Sequence, residues 1–226
     1  MRNLSLFVAL MLFALAGSAQ AQVEPPAAEP GATPAAAAPT PEPTPAAATS
    51  ESKMQVGIAF LPMLLGKEGA GTSGDDTWSD MSPAYGIGLS FGYNVIPGLS
   101  VGVAPQVLLH VKPKDASKSM MEYDLMARIA YAYTVIPKLA VYAEVLPGYS
   151  IVSLPSGTTY MGEKPPSPKG FVIGFGAGAA YDVTDQFFVN LGVGYQMGFQ
   201  KMSVAGSTND VKTKFLRIAL GGGMKF

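Results

Sequence analysis

Two segments of this chain alternate bulky apolar with very small residues so strictly that each reads as a strand with two chemically opposite faces. In one, Tyr85, Ile87, Leu89, Phe91 and Tyr93 alternate with Ala84, Gly86, Gly88, Ser90 and Gly92. In the other, Phe171, Ile173, Phe175, Ala177, Ala179 and Tyr181 alternate with Val172, Gly174, Gly176, Gly178 and Ala180. Successive side chains of a strand point to opposite faces, so each set shares one side. A soluble sandwich buries its bulky face and wets a charged one, but the second face here is too poor in lysine and glutamate to be a solvated exterior. A lipid-facing exterior around a narrow lumen filled by small side chains explains both faces. The last segment follows the same rule, with Leu216, Ile218, Leu220, Gly222, Met224 and Phe226 set against Arg217, Ala219, Gly221, Gly223 and Lys225.

The N-terminal residues point to export. Arg2, an apolar run from Leu4 to Ala16 and the small-x-small site Ala19-Gln20-Ala21 predict a signal peptide over 1–21. That run is shorter than the roughly 20 residues a spanning helix needs. The chain has no cysteine, which excludes a thiol-attached lipid, disulfides and cysteine-ligated metal. Residues 22–52 are rich in proline and alanine, with Glu24, Glu29, Glu42 and Glu51 as their only charges. Such a tract cannot bury a core and predicts a disordered periplasmic linker ahead of a barrel over 53–226.

A repeat sets the strand count. Tyr93-Asn94-Val95-Ile96-Pro97-Gly98-Leu99, Tyr133-Thr134-Val135-Ile136-Pro137-Lys138-Leu139 and Tyr181-Asp182-Val183-Thr184-Asp185-Gln186-Phe187 each read as strand end, tight turn and strand start. Tyr93, Tyr133 and Tyr181 then form a periplasmic aromatic belt. Longer polar connections fall at 66–81, 112–121, 155–169 and 201–212, expected to be extracellular. The strands are predicted near 54–65, 82–95, 99–111, 122–134, 138–154, 170–182, 187–200 and 213–226. The fold class is thus all-β: an eight-stranded antiparallel transmembrane up-and-down barrel, closed so that no backbone amide is left unpaired in lipid. Pro62, Pro105 and Pro147 fall inside strands, where bulges or strand ends are expected because proline lacks a ladder donor.

Strand parity assigns the lumen. Centring the second turn on Ile136 sets Tyr133 opposite Leu139 and Arg128 opposite Glu144, facing inward as a lumen ion pair. Arg217, Glu122 and Asp124 also point inward, with Tyr142, Phe188, Met126, Leu108 and Leu146. An eight-stranded barrel is just wide enough for side chains to fill, so an open solute channel is not expected. His110, the one histidine, is placed inward at a strand end with no oriented nucleophile beside it, so no enzyme is expected. The run Gly174-Phe175-Gly176-Ala177-Gly178 lies in a strand with no following helix and is packing clearance rather than a nucleotide loop. Asp75 and Asp76 make a poor calcium ligand set, and no cofactor or nucleic-acid partner is called for. Trp78 could anchor an extracellular ligand, and Lys112, Lys114 and Lys118 could meet lipopolysaccharide phosphates.

With its strand number, turn repeat and terminal Phe226, residues 53–226 resemble the small outer-membrane β-barrel proteins of Gram-negative bacteria, the OmpA- and OmpX-like barrels. The resemblance implies that Gly221, Met224 and Phe226 belong to a C-terminal assembly signal read by the barrel assembly machinery, although Ala219 stands where that signal usually has a polar residue. It further implies a monomeric integral protein with a structural, adhesive or envelope-integrity role. No peptidoglycan-binding domain is expected after the barrel. The alternative is transport, by a narrow pore or by passage of a small hydrophobic molecule through a gap in the wall.

Overall fold

The computed structural model describes residues 52–71, 77–114, 116–157, 165–204 and 207–226. The signal peptide, almost all of the linker, and Asp75 and Asp76 lie outside the described residues. The described chain forms nine strands: β1 (Met54–Gly71), β2 (Thr77–Asp80), β3 (Ala84–Ile96), β4 (Leu99–Val111), β5 (Met120–Ile136), β6 (Leu139–Ser153), β7 (Lys169–Asp182), β8 (Phe187–Val204) and β9 (Ser207–Lys225). Each pairs antiparallel with its neighbour, and β1 pairs with β9 to close the sheet. β2 and β3 pair with successive parts of β1, so the two occupy one position and the ring has eight. At the seam Met54 and Phe226 exchange both backbone hydrogen bonds, at 3.2 and 2.8 Å.

The alternation in the sequence becomes inside and outside. Phe91, Leu125 and Leu220 present 44%, 63% and 48% of their surface outward, whereas Leu108, Met126 and Val172 are sealed within. The outward band runs round the whole ring, far beyond the apolar patch of a few hundred Å² that a soluble monomer carries. Following the register from Met54 through Tyr93, Val101, Ile129, Val145, Phe175, Tyr195 and Leu216 returns to β1 at Leu64, a shear of ten residues. With about 3.3 Å per residue and strands about 4.8 Å apart, that shear tilts the eight strands by roughly 40°.

The short connections gather at one end, the turn end. Gly98 and Lys138 occupy equivalent turn positions with φ of 80° and 72°, a left-handed conformation natural to glycine and strained for lysine. In the third turn the Thr184 hydroxyl accepts hydrogen bonds from the Gln186 and Phe187 amides at 3.3 and 3.0 Å.

The opposite, loop end departs from expectation. The connections expected at 66–81 and 201–212 are largely strand: β1 runs to Gly71, β2 pairs with it, and β8 and β9 pair as far as Val204 opposite Ser207. Hydrogen-bond ladders need no apolar residues, so β8, β9, β1 and β2 continue beyond the apolar band, with cross-strand partners such as Lys201 opposite Asp210 and Ser203 bonded to Thr208 at 3.0 Å. The prolines depart too. Pro62, Pro105 and Pro147 lie in continuous strands without a bulge or register shift at the proline; instead the pairing skips beside each one on a single edge, toward β9, β3 and β5 respectively, and resumes in the same register. A missing N–H costs one edge its bond and leaves the other edge paired.

Candidate functional site: a plugged lumen

From the turn end, the lumen opens on Lys225, whose ammonium holds both Asp182 carboxylate oxygens at 2.6 and 2.7 Å. Above it is a cavity of about 320 Å³, lined in part by Tyr142, Asn190, Arg128, Glu144 and Arg217. The Tyr142 hydroxyl accepts a hydrogen bond from the Asn190 amide at 3.3 Å. It fits because Gly178 and Gly192 face it: a Cβ at either would come within 2.7 or 2.5 Å of that hydroxyl.

Glu144 is gripped by two arginines. Arg128 Nε donates to one carboxylate oxygen at 2.8 Å and Arg217 Nη2 to the other at 2.6 Å. The three side chains expose only 16%, 11% and 7% for Arg128, Glu144 and Arg217. The direct cross-strand placement of Arg128 and Glu144 needs correction. Ile136 pairs with Leu139, a register shift follows between Thr134 and Ile136, and Tyr133 therefore faces Val141 while Ala130 faces Glu144. Arg128 still reaches Glu144 because its long side chain spans the two-residue offset. Arg217, which pattern reading placed inward without a partner, arrives from three strands away. Gly176 and Gly194 fill the row between it and Glu144, so no side chain intervenes.

Above the triad the lumen is solid. Met126, Leu146 and Val172 form one buried cluster, and Leu61, Met63, Leu108, Val111 and Phe215 belong to another. Beside them lies a polar layer that sequence reasoning saw only as Glu122 and Asp124. Gln106 and Gln196 each donate to Asp124 Oδ2, at 2.6 and 2.9 Å, and Ser150 and Gln200 donate to Glu122 Oε1 at 2.9 and 3.2 Å. Their signal was available: all four lie at inward parity positions, buried to 5% exposure or less.

His110 is not inward. A register shift between Leu108 and Val111 and a φ of 61° turn it to the outer face, where its ring stacks on Tyr85 with centroids 6.2 Å apart. Tyr93, Tyr133 and Tyr181, expected to form an aromatic belt, point outward near the turn end, and Met224 and Phe226 are exposed on β9 and just after it, with Gly221 half-buried. The loop-end residues are already engaged. Trp78 lies on β2 rather than in a loop, with the Lys214 ammonium 3.7 Å from its ring centre. Lys114 and Lys67 flank Asp80 at 3.4 and 3.6 Å, and the hydrogen bond and charge of Lys114 hold that carboxyl below the usual aspartate range. Lys118 donates to the Ser156 carbonyl at 3.1 Å, while Lys112 lies half-buried just beyond β4.

A closed, tilted ring with an apolar exterior and a plugged polar interior is the architecture of an outer-membrane barrel. The family model described as outer membrane protein beta-barrel domain matches residues 6–223. The chain belongs to this family. As a member it is an integral protein of the Gram-negative outer membrane, crossing it with strands. Among solved structures, OprG of Pseudomonas aeruginosa is similar at 14% identity with a TM-score of 0.53, covering 78% of this chain and 97% of that one. Neisserial surface protein A gives 16% identity and a TM-score of 0.49 over 79% of this chain and 100% of that one. Ail of Yersinia pestis gives 14% and 0.41 over 78% and 99%. Such identities show the shared fold alone. No curated protein matches the sequence.

Proposed function

We propose that this barrel is a non-conducting, structural member of the outer membrane that supports envelope integrity and offers its loop end for adhesion. The observation that carries the reading is the plug: above the Arg128–Glu144–Arg217 triad, buried apolar and polar layers fill the lumen, and the 320 Å³ cavity lies on the turn side, reaching Asp182 and Lys225. In this reading the signal peptide is removed, the linker and the short turns are periplasmic, and the extension built by β8, β9, β1 and β2 faces outward. Gly221, Met224 and Phe226 serve assembly by the barrel machinery. Lipopolysaccharide phosphates meet lysines of the loop end, where Lys169 stands directly opposite Lys201 and Lys67 opposite Lys214. Planar-bilayer recording tests the plug: the wild-type barrel gives no reproducible openings. Openings that disappear in Arg128→Ala or Glu144→Ala would replace this reading with a pore.

One observation favours a second reading, passage of a small hydrophobic molecule through the wall. Pairing between β3 and β4 skips Leu89 and Ser90 beside Pro105, and an apolar depression of about 660 Å³ lies over the same place, lined by Leu89, Pro105, Val107, Leu125 and Tyr149 among others. Pro105→Val restores a backbone donor at that point. Under this reading it lowers uptake of a labelled medium-chain hydrocarbon by cells carrying the barrel; equal uptake by wild type and variant excludes it.

A further inference from the structure

The cavity below the plug is lined by more positive charge than its own groups cancel. Its ionisable lining is Arg128, Lys138, Arg217 and Lys225 against Glu144 and Asp182, four cations and two carboxylates, in a chain whose formal net charge is -1. Lys225 and Asp182 neutralise each other at the mouth. Deeper in, Arg128 and Arg217, the only arginines of the chain besides Arg2, share the single carboxylate of Glu144. That carboxylate takes up little of what they offer. Arg128 gives Nε to Glu144 and Nη1 to the Ser100 hydroxyl at 3.5 Å, and Arg217 gives Nη2 to Glu144. Arg128 Nη2 and Arg217 Nε and Nη1 have no partner among the described residues, yet no arginine nitrogen is among the sealed, unpartnered atoms. They therefore keep access to open space, and the space that both residues line is this cavity. The Tyr142 hydroxyl, which accepts from Asn190, likewise has no acceptor for its own proton among the described residues.

We propose that the cavity binds one small oxyanion of the phosphate type, which enters from the turn end and sits against the Arg128 and Arg217 guanidiniums with the Tyr142 hydroxyl as a further donor. Four cations less two carboxylates leave two positive charges on the lining. A doubly charged anion balances them, whereas a single carboxylate leaves one over. The planar fork of a guanidinium matches phosphate oxygens, and an arginine stays charged at any pH the protein meets. A recess lined by one sign of charge and walled by low-dielectric material concentrates its field on whatever occupies it. Its 320 Å³ is several times the roughly 30 Å³ that a water occupies, room for a phosphate group with waters beside it. Glu144 holds the two arginines in position while cancelling only half of their charge. Because the plug closes the lumen above, on the non-conducting reading the site is blind and binds without passage.

The test is calorimetric titration of inorganic phosphate into the full chain refolded in detergent micelles, in chloride-free buffer at neutral pH. Saturable binding at a single site is expected. Arg128→Gln leaves Glu144 paired with Arg217 and is expected to weaken binding at least roughly tenfold, through loss of a charge-assisted hydrogen bond. Glu144→Gln is expected to act in the opposite direction: it binds phosphate more tightly, and phosphate raises its unfolding temperature by more than that of the wild type. A triad with a structural role alone would show no such reversal of sign. Isotopic labelling of arginine nitrogen in the wild type covers the case in which neither variant folds, because Arg2 is the only other arginine: phosphate is expected to shift the Nε–Hε resonances of Arg128 and Arg217. No saturable binding, unchanged affinity in folded Arg128→Gln, weaker binding by folded Glu144→Gln, or unshifted resonances in phosphate-saturated wild type overturns the proposal. Planar-bilayer recording judges the plug separately: a barrel that binds phosphate by these criteria and also conducts keeps the site and loses only the blind lumen.

Discussion

Glu144→Gln is expected to lower the unfolding free energy of the barrel by about 3–5 kcal/mol, the cost of breaking a buried ion pair by removing one partner. Both carboxylate oxygens of Glu144 are taken by guanidinium groups, at 2.8 and 2.6 Å, in a part of the lumen where the three side chains are 16% exposed or less. Glutamine keeps the shape but deletes the only charge that offsets Arg128 and Arg217, which then repel each other. Urea unfolding in lipid vesicles, followed by tryptophan fluorescence and by gel mobility without boiling, measures the change. Replacing the triad as a unit by apolar side chains of similar volume should recover most of the loss, because desolvation of the charges is removed along with their attraction. Lys225→Met provides the comparison. Its bond to Asp182 sits at the lumen mouth with both side chains 31% exposed, so it should cost no more than about 1 kcal/mol. A loss at Glu144 no larger than at Lys225 would mean that water reaches the triad freely.

Val193→Arg has the second large effect, through the outer face. Val193 lies on β8 between Phe187 near the turn end and Phe199 toward the loop end, pointing outward and 44% exposed. On a water-soluble protein such a surface change would fall within about 0.5 kcal/mol of neutral. In the middle of the hydrocarbon layer an arginine costs about 2–4 kcal/mol, falling toward zero near the interfaces. The same change at Phe199 should therefore cost distinctly less than at Val193. Equal and negligible effects at both positions would contradict the membrane-spanning assignment.

The architecture was legible in the sequence because the two faces of a strand in this setting differ in size as well as polarity. Tyr85 through Tyr93, against the glycines between them, gave inside and outside without any long-range information. Three tight turns with tyrosines before them gave the ring size. Strand ends at the loop side were less legible: Gly66–Gly71 and Lys201–Val204 are polar and read as loop, yet they pair, since a ladder extended into water answers to backbone geometry rather than side-chain chemistry. Register was the other limit. The second turn is closed by Ile136 and Leu139 rather than centred on Ile136, so Glu144 lies opposite Ala130 instead of Arg128 with both charged side chains still inward, whereas a shift before Val111 carries His110 from inside to outside. One extra residue inverts every side chain beyond it, and nothing local in composition announces it. Contacts across the lumen were hidden altogether, because Arg217 meets Glu144 only through a ring already closed.

The seam between β1 and β9 also governs how the molecule must be made. Met54 and Phe226 trade backbone hydrogen bonds although they are separated by nearly the whole folded region. Until the final strand is delivered, β1 and β8 each carry a naked hydrogen-bonding border able to capture a neighbouring chain. Biogenesis must therefore keep the emerging polypeptide escorted and its first strand shielded right up to release of the last one.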